Sequence, residues 1–111
     1  MAEENKEYEE ALSNYYEGRG VSSIVSIKVD TKKADDIAEK LSEYKNIEDL
    51  FLVTGDVDLI LKARFTDYSH MKSFLVNELS NLEGIDNVKS MMIITTYKER
   101  FETIQAENSK E

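Results

Sequence analysis

The sequence predicts one α+β domain with the order strand, helix, strand, strand, helix, strand. Residues 21–29 alternate apolar and polar side chains, as a half-buried strand does. Apolar stripes at helical spacing follow within residues 31–43 and 67–82. Between them, two runs rich in β-branched residues, 47–53 and 57–65, are joined by Thr54-Gly55-Asp56, a sequence typical of a tight β-hairpin. A chain of 111 residues has material for one such core.

The first strand and helix each have one apolar face. We expect the strand to turn Val25, Ile27 and Val29 toward the core, with Ser22, Ile24, Ser26 and Lys28 on its other face. Asp30 or Thr31 is the predicted N-cap of the helix that follows. The core-facing stripe of this helix consists of Ala34, Ile37, Ala38 and Leu41.

The second helix and the last strand complete the pattern. Thr66 or Asp67 is the predicted N-cap of the helix, and Gly84 is its predicted stop. Its stripe consists of Met71, Phe74, Leu75, Leu79 and Leu82. Residues 85–97 are predicted to form a strand that is apolar on both faces around residues 91–94, which indicates burial on both sides.

This order is the ferredoxin-like βαββαβ arrangement, a four-stranded antiparallel sheet with both helices on one face. The other sheet face is then uncovered. It presents Asp58, Ile60, Lys62 and Arg64, together with Met91 and Ile93 of the last strand. This mixture is typical of a surface for a partner subunit, so we expect a homodimer with an αβ-barrel-like arrangement.

The two ends of the chain differ from the domain at residues 21–98. Residues 1–20 hold six acidic and two basic residues, and place Tyr8, Leu12, Tyr15 and Tyr16 at helical spacing, so we expect an acidic helical extension. Residues 99–111 are predicted to form a short helix containing Phe101 and Ile104, followed by a polar tail.

Composition excludes several classes of function. The net charge of −9 leaves no basic face for phosphates, so direct nucleic-acid binding is not expected. No apolar run reaches the length of a membrane span, and the acidic start is unlike a signal peptide. The absence of cysteine is compatible with a reducing compartment, and we expect a cytoplasmic protein.

No catalytic motif is present. The sequence has no cysteine nucleophile, HExxH pair, glycine-rich phosphate loop or GxSxG elbow. Its one histidine, His70, lies off the apolar stripe and is interpreted as a surface residue. We therefore expect neither an enzyme nor a metal or cofactor site.

The hairpin turn is the one candidate binding feature. Residues 54–58 combine a glycine, backbone N–H groups and two carboxylates, which together suit the carboxylate and ammonium groups of an amino acid. Glycine-aspartate turns also form without any ligand, because aspartate often accepts hydrogen bonds from its own backbone. The residues alone leave both interpretations open.

A family resemblance favours the interpretation that the turn binds an amino acid. The segment VTGDVDLILKARF, followed by Asp67, Leu82-Glu83-Gly84-Ile85 and the apolar run at residues 90–96, resembles the effector-binding (RAM) domain of the Lrp/AsnC regulators. The resemblance implies an amino-acid effector held between dimers, with dimers joined into octamers or rings. The ligand-binding residues that it implies, with Asp58 first, are Thr54, Gly55, Asp56, Asp58, Tyr68, Met91, Ile93 and Thr95.

Two departures from the family pattern bear on function. Val57 stands where the family places Tyr or Phe. Only about 20 residues precede the domain, whereas a helix-turn-helix domain needs about 50. We therefore expect a stand-alone effector module that acts through a helix-turn-helix-containing paralogue. The alternatives are a small ferredoxin-like enzyme, similar to the monooxygenases of this fold, and an oligomerisation domain without a ligand.

Overall fold

Four strands and two helices follow one another in the predicted order, in a computed structural model that describes Glu9 and residues 20–104. The predicted N-terminal extension, apart from Glu9, and the end of the polar tail lie outside the described residues. The elements are β1 (Val21–Val29), α1 (Ala34–Leu41), β2 (Ile47–Leu52), β3 (Leu59–Phe65), α2 (Tyr68–Ser73, continued by a π-helix over Phe74–Leu79) and β4 (Ile85–Met92).

The four strands form one antiparallel sheet with the order β2-β3-β1-β4. This is the ferredoxin-like topology. The core is formed by the faces that the alternation predicted, together with the helix stripes. Its fully or nearly fully buried members are Val25, Ile27, Val29, Ala34, Ile37, Leu41, Leu59, Leu61, Ala63, Phe65, Phe74 and Leu79.

Local chemistry explains where the helices begin. Asp30 accepts a hydrogen bond from the Lys32 N–H (3.1 Å) and caps the 3-10 turn Thr31–Lys33 that leads into α1. Asp67 accepts one from the His70 N–H (2.8 Å) and caps α2. His70 is half-buried at this cap, and its Nδ1 accepts from the Thr66 N–H at 3.0 Å. The histidine therefore stabilises the start of α2.

Gly84 joins the second helical segment to β4. Its φ of +99° is accessible to glycine and disfavoured for residues with a Cβ. A Cβ at this position would lie 2.9 Å from Lys33 Cδ and 3.1 Å from Ile37 Cδ1, so the turn packs directly on α1. The Gly84 carbonyl also accepts the Asp30 N–H at 2.8 Å. The helix itself ends at Leu79 with Ser80 as its C-cap, so the prediction of Gly84 as the helix stop is wrong, and Gly84 instead packs the turn before β4 against α1.

The C-terminal part differs from the prediction. β4 ends at Met92 instead of continuing to residue 97. The short helix expected around Phe101 and Ile104 is wrong: a hairpin forms from β5 (Lys98–Glu99) and β6 (Glu102–Thr103). Two apolar residues three positions apart fit a helix, but they also fit a hairpin with one at the turn. Contacts beyond the sequence pattern decide the outcome, including the Ile104 N–H donating to Tyr97 O at 2.8 Å.

No helix among the described residues is long and apolar enough to cross a membrane.

Candidate functional site

The candidate site begins at the loop between β2 and β3. The Val53 N–H donates to Asp58 O at 2.8 Å, so residues 54–57 form a four-residue loop instead of the tight turn that the sequence predicted. Gly55 has a φ of +129°, and a Cβ there would meet nothing within 4 Å. Glycine is therefore needed for the backbone conformation, not for space. Thr54, Gly55 and Asp56 are exposed.

Asp58 anchors this loop to β1. Its Oδ2 accepts from the Val29 N–H at 2.9 Å, and its own N–H donates to Ile27 O at 3.0 Å. Both bonds tie the start of β3 to the end of β1, where the regular pairing of the two strands stops at Ile27 and Leu59. Asp58 was the first choice for effector contact, but the structure engages one of its carboxylate oxygens in holding the loop.

Asp56 and Lys28 supply the charges at the tip of the loop. Lys28, the last exposed residue of β1, extends its Nζ to within 3.3 Å of the Asp56 carbonyl oxygen. The exposed Asp56 carboxylate belongs to the same loop. The loop therefore carries one acidic side chain and has one basic side chain bonded to its backbone, the two charge types that the ammonium and carboxylate of an amino acid can pair with. Sequence analysis placed Lys28 on the open face but did not assign it to the site. The strand order could have identified Lys28, because it places the end of β1 beside the β2–β3 loop.

The other four predicted site residues lie at the opposite end of the sheet. Tyr68 follows the far end of β3, whose seven residues span about 20 Å. In β4, Met91 pairs with Ile24, and the Ile93 N–H donates to Ser22 O at 2.9 Å, near the start of β1. Thr95 follows two residues later. One chain therefore does not bring Tyr68, Met91, Ile93 and Thr95 to residues 54–58.

An ionic cluster crosses the open sheet face. Lys62 contacts Glu48 at 3.5 Å and forms an ion pair with Glu99 of β5, while Arg64 pairs with Glu48. The hydrogen bond from Arg64 holds the pKa of Glu48 below its usual value. The bond to Glu99 raises the pKa of Lys62. Sequence analysis missed the pair of Lys62 and Glu99 because Glu99 reaches Lys62 only through the unpredicted C-terminal hairpin.

A cleft of about 360 Å³ lies between the open face and the same hairpin. Ile24, Phe51 and Ile60 form its apolar floor, and Lys62, Glu99 and Arg100 are among the residues at its edge. No group of three or more histidine, cysteine, aspartate or glutamate side chains gathers to hold a metal ion in the part of the chain that the structure describes.

The fold and the loop together define a class: a ferredoxin-like α+β domain with one sheet face that carries no helix and a charged loop at one end of that face. The family model for the Lrp/AsnC ligand binding domain matches residues 22–103. The chain therefore belongs to the Lrp/AsnC ligand-binding domain family, as the hairpin motif predicted.

Curated relatives are HTH-type transcriptional regulators by name. The HTH-type transcriptional regulator FL11 of Pyrococcus furiosus is 28% identical over 85 residues, which are 77% of this chain and 56% of the relative. An uncharacterised HTH-type transcriptional regulator of Bacillus subtilis, YugG, is 27% identical over 82 residues, 71% of this chain and 49% of the relative. The chain thus spans about half the length of these relatives.

Solved structures share the fold. A transcriptional regulator of Neisseria meningitidis in complex with L-methionine matches with a TM-score of 0.69 and 19% identity, over 80% of this chain and 58% of that one. The feast or famine regulatory protein of M. tuberculosis, complexed with L-methionine, matches with a TM-score of 0.65 and 20% identity, over 79% of this chain and 59% of that one. FFRP-DM1 matches with a TM-score of 0.65 and 20% identity, over 67% of this chain and 99% of that one.

Proposed function

We propose that this chain is an effector-sensing module that binds a free amino acid and thereby modulates a transcription regulator. Family membership supports a ligand-binding role, and the curated relatives are named as transcriptional regulators. Two structures of the same fold were solved with L-methionine, which makes an amino acid the first ligand class to test. The chain acts without catalysis, metal or cofactor, and makes no direct contact with nucleic acid.

The amino acid lies between copies of the chain. The observation that carries this proposal is the separation of the predicted site residues into two groups, about 20 Å apart along β3. An amino acid is too small to bridge that distance within one chain. The loop group (Thr54, Gly55, Asp56 and Asp58) of one copy therefore meets the strand-end group (Tyr68, Met91, Ile93 and Thr95) of another.

Each side chain has a distinct task in this arrangement. Lys28 and the loop N–H groups receive the carboxylate of the amino acid, and the Asp56 carboxylate receives its ammonium group. Asp58 holds the loop in place through Val29. Met91 and Ile93 of the other copy form an apolar wall, which favours an apolar side chain such as that of methionine.

Assembly follows from the open sheet face. Two copies pair through this face, and pairs join into a ring of dimers that brings loops and strand ends together. A helix-turn-helix-containing paralogue with the same domain pairs through a matching face and carries the response to DNA. The amino acid acts by binding one assembly state more tightly than another.

A thermal-shift screen of the twenty amino acids at millimolar concentration tests the proposal. A ligand present at 100 times its Kd adds about 2.7 kcal/mol to the free energy of unfolding, which raises the Tm of a domain of this size by about 10 °C or more. Asp56→Ala and Lys28→Met should each remove the shift while leaving the Tm without ligand unchanged. Asp36→Ala, which removes an exposed carboxylate from α1, is the matched control and should keep the shift.

Two results would overturn the proposal. One is a screen in which no amino acid raises the Tm. The other is an Asp56→Ala variant that retains the full shift, since the loop would then take no part in binding.

A further inference from the structure

The C-terminal hairpin ends in an aromatic side chain that the described residues of its own chain leave uncovered. Phe101 is 98% exposed, the highest exposure among the large apolar side chains that the structure describes. Phe101 and Arg100 form the turn between β5 and β6, with φ values of +74° and +52°. This left-handed conformation is disfavoured for residues with a Cβ, so the turn directs a phenyl ring outward at a conformational cost.

The cleft beside this hairpin is complementary to such a ring. Its floor of Ile24, Phe51 and Ile60 is apolar, and Phe51 is 57% exposed. Arg100 lines the cleft, whereas the next residue, Phe101, does not. The aromatic tip and the apolar cleft thus lie next to each other on one surface without filling each other.

We propose that Phe101 of each copy inserts into this cleft of a second copy, so that the C-terminal hairpin is a reciprocal dimerisation arm. Because tip and cleft are neighbours on one molecule, a two-fold axis passing close to both brings each tip to the other copy's cleft in a single operation. The contact is isologous and closes at two copies. The ion pair between Lys62 and Glu99 holds the arm against the sheet in the required position.

The arms enlarge the contact that two open faces can make. Four strands about 4.8 Å apart and about 24 Å long give each face a planar footprint of about 450 Å², and its accessible area is larger because side chains protrude. A stable interface typically buries about 800 Å² of accessible surface on each partner, so the open face supplies a substantial part of that area. The two arms extend the contact beyond the sheet and add two aromatic anchors, the residue type that dominates binding energy at interfaces.

Cysteine cross-linking tests this arrangement directly, because the natural chain contains no cysteine. Two batches with tags of different size are prepared, one carrying Phe101→Cys and the other Phe51→Cys. They are mixed and treated with a short thiol-to-thiol cross-linker. The expected product is a heterodimer of the two tagged chains on a denaturing gel. Phe101→Cys mixed with Val76→Cys is the matched control, since Val76 is 54% exposed on the helical side of the domain, and no heterodimer is expected.

Sedimentation equilibrium supplies an independent measurement. Phe101→Ser should raise the dimer Kd about 100-fold or more, as expected for loss of an anchor from both copies. Val76→Ser should leave the Kd unchanged. Unaltered circular dichroism of both variants confirms that they fold.

An unchanged dimer Kd in Phe101→Ser, or equal cross-linking in the test and control mixtures, would overturn the proposal. The first result would leave the cleft to another occupant, such as a small molecule. The inference shares with the proposed function the pairing of copies through the open face, but no amino acid is added in these experiments. A positive result therefore stands if no amino acid binds, and a negative result leaves the thermal-shift test intact.

Discussion

Replacing Gly84 with alanine tests how the turn before β4 is held. Two effects are expected to destabilise the Gly84→Ala variant: its backbone conformation and its steric contacts. The φ of +99° is disfavoured for any residue with a Cβ, at about 1–2 kcal/mol. The Cβ would also lie 3.1 Å from Ile37 Cδ1 and 2.9 Å from Lys33 Cδ. The lysine stem can move aside, but Ile37 is only 3% exposed within the core, so overpacking adds about 1–3 kcal/mol.

Together these effects predict that Gly84→Ala lowers the free energy of unfolding by about 2–5 kcal/mol, a large part of the total for a small domain. Urea unfolding followed by circular dichroism measures it. With an m-value of about 1–1.5 kcal/mol/M, the midpoint should fall by about 2–3 M at an unchanged slope.

Gly55→Ala is the matched control for backbone conformation. Its φ of +129° is also positive, but its Cβ would meet nothing within 4 Å. It should therefore cost about 1 kcal/mol, since the exposed loop has room to relax. If Gly84→Ala costs no more than Gly55→Ala, the contact with α1 does not limit this turn, and the packing argument is refuted.

Three further predictions concern the loop and the open face. Asp58→Ala should lower the free energy of unfolding by about 1–3 kcal/mol, because the Val29 N–H loses its acceptor, and Asp58→Asn should cost less; urea unfolding of both variants checks this. Arg64 holds the pKa of Glu48 below its usual 4.5 in the folded state, so the contribution of Glu48 to the free energy of unfolding is present above pH 4.5 and is lost as the pH falls through the folded pKa. Glu48→Gln should therefore reduce the acid-dependent loss of the free energy of unfolding, by no more than about 1 kcal/mol, in a stability–pH profile. Lys62→Met removes the ion pair with Glu99 and should release the C-terminal hairpin from the sheet. Amide hydrogen exchange should then become faster at Ile104, whose N–H is bonded to Tyr97 O, and change little at Leu61 in the core.

Much of the fold was predictable because each buried element has one apolar face. The alternation of β1 and the helix stripes identified the core residues. The two glycines marked connections between elements, but the loop at Gly55 is longer than the predicted turn, and the helix before Gly84 ends earlier, at Leu79. The C-terminal hairpin was not predictable from Phe101 and Ile104, since two apolar positions do not separate a helix from a hairpin. Its anchoring contact, Lys62 with Glu99, joins residues 37 positions apart.

For the candidate site, the sequence identified a charged loop, and the geometry around that loop was less predictable. The loop with its charged groups was identified, and the family match confirms a ligand-binding domain. The role of Asp58 at the Val29 N–H was missed because it depends on where β1 ends relative to β3. Lys28 was missed for the same reason. The separation of Tyr68 from the loop follows from strand direction, and motif order alone does not show it.

The central claim is that one amino-acid site is built from two copies of the chain. A mixing experiment with L-methionine tests it most directly, by equilibrium dialysis of Asp56→Ala, of Tyr68→Ala and of their mixture after reassembly. The account predicts that neither variant binds alone. The mixture should recover about a quarter of the wild-type capacity, because random assembly pairs an intact loop with an intact strand end at one site in four. Failure of the mixture to recover binding, when the wild-type chain binds L-methionine and each variant does not, would contradict the claim.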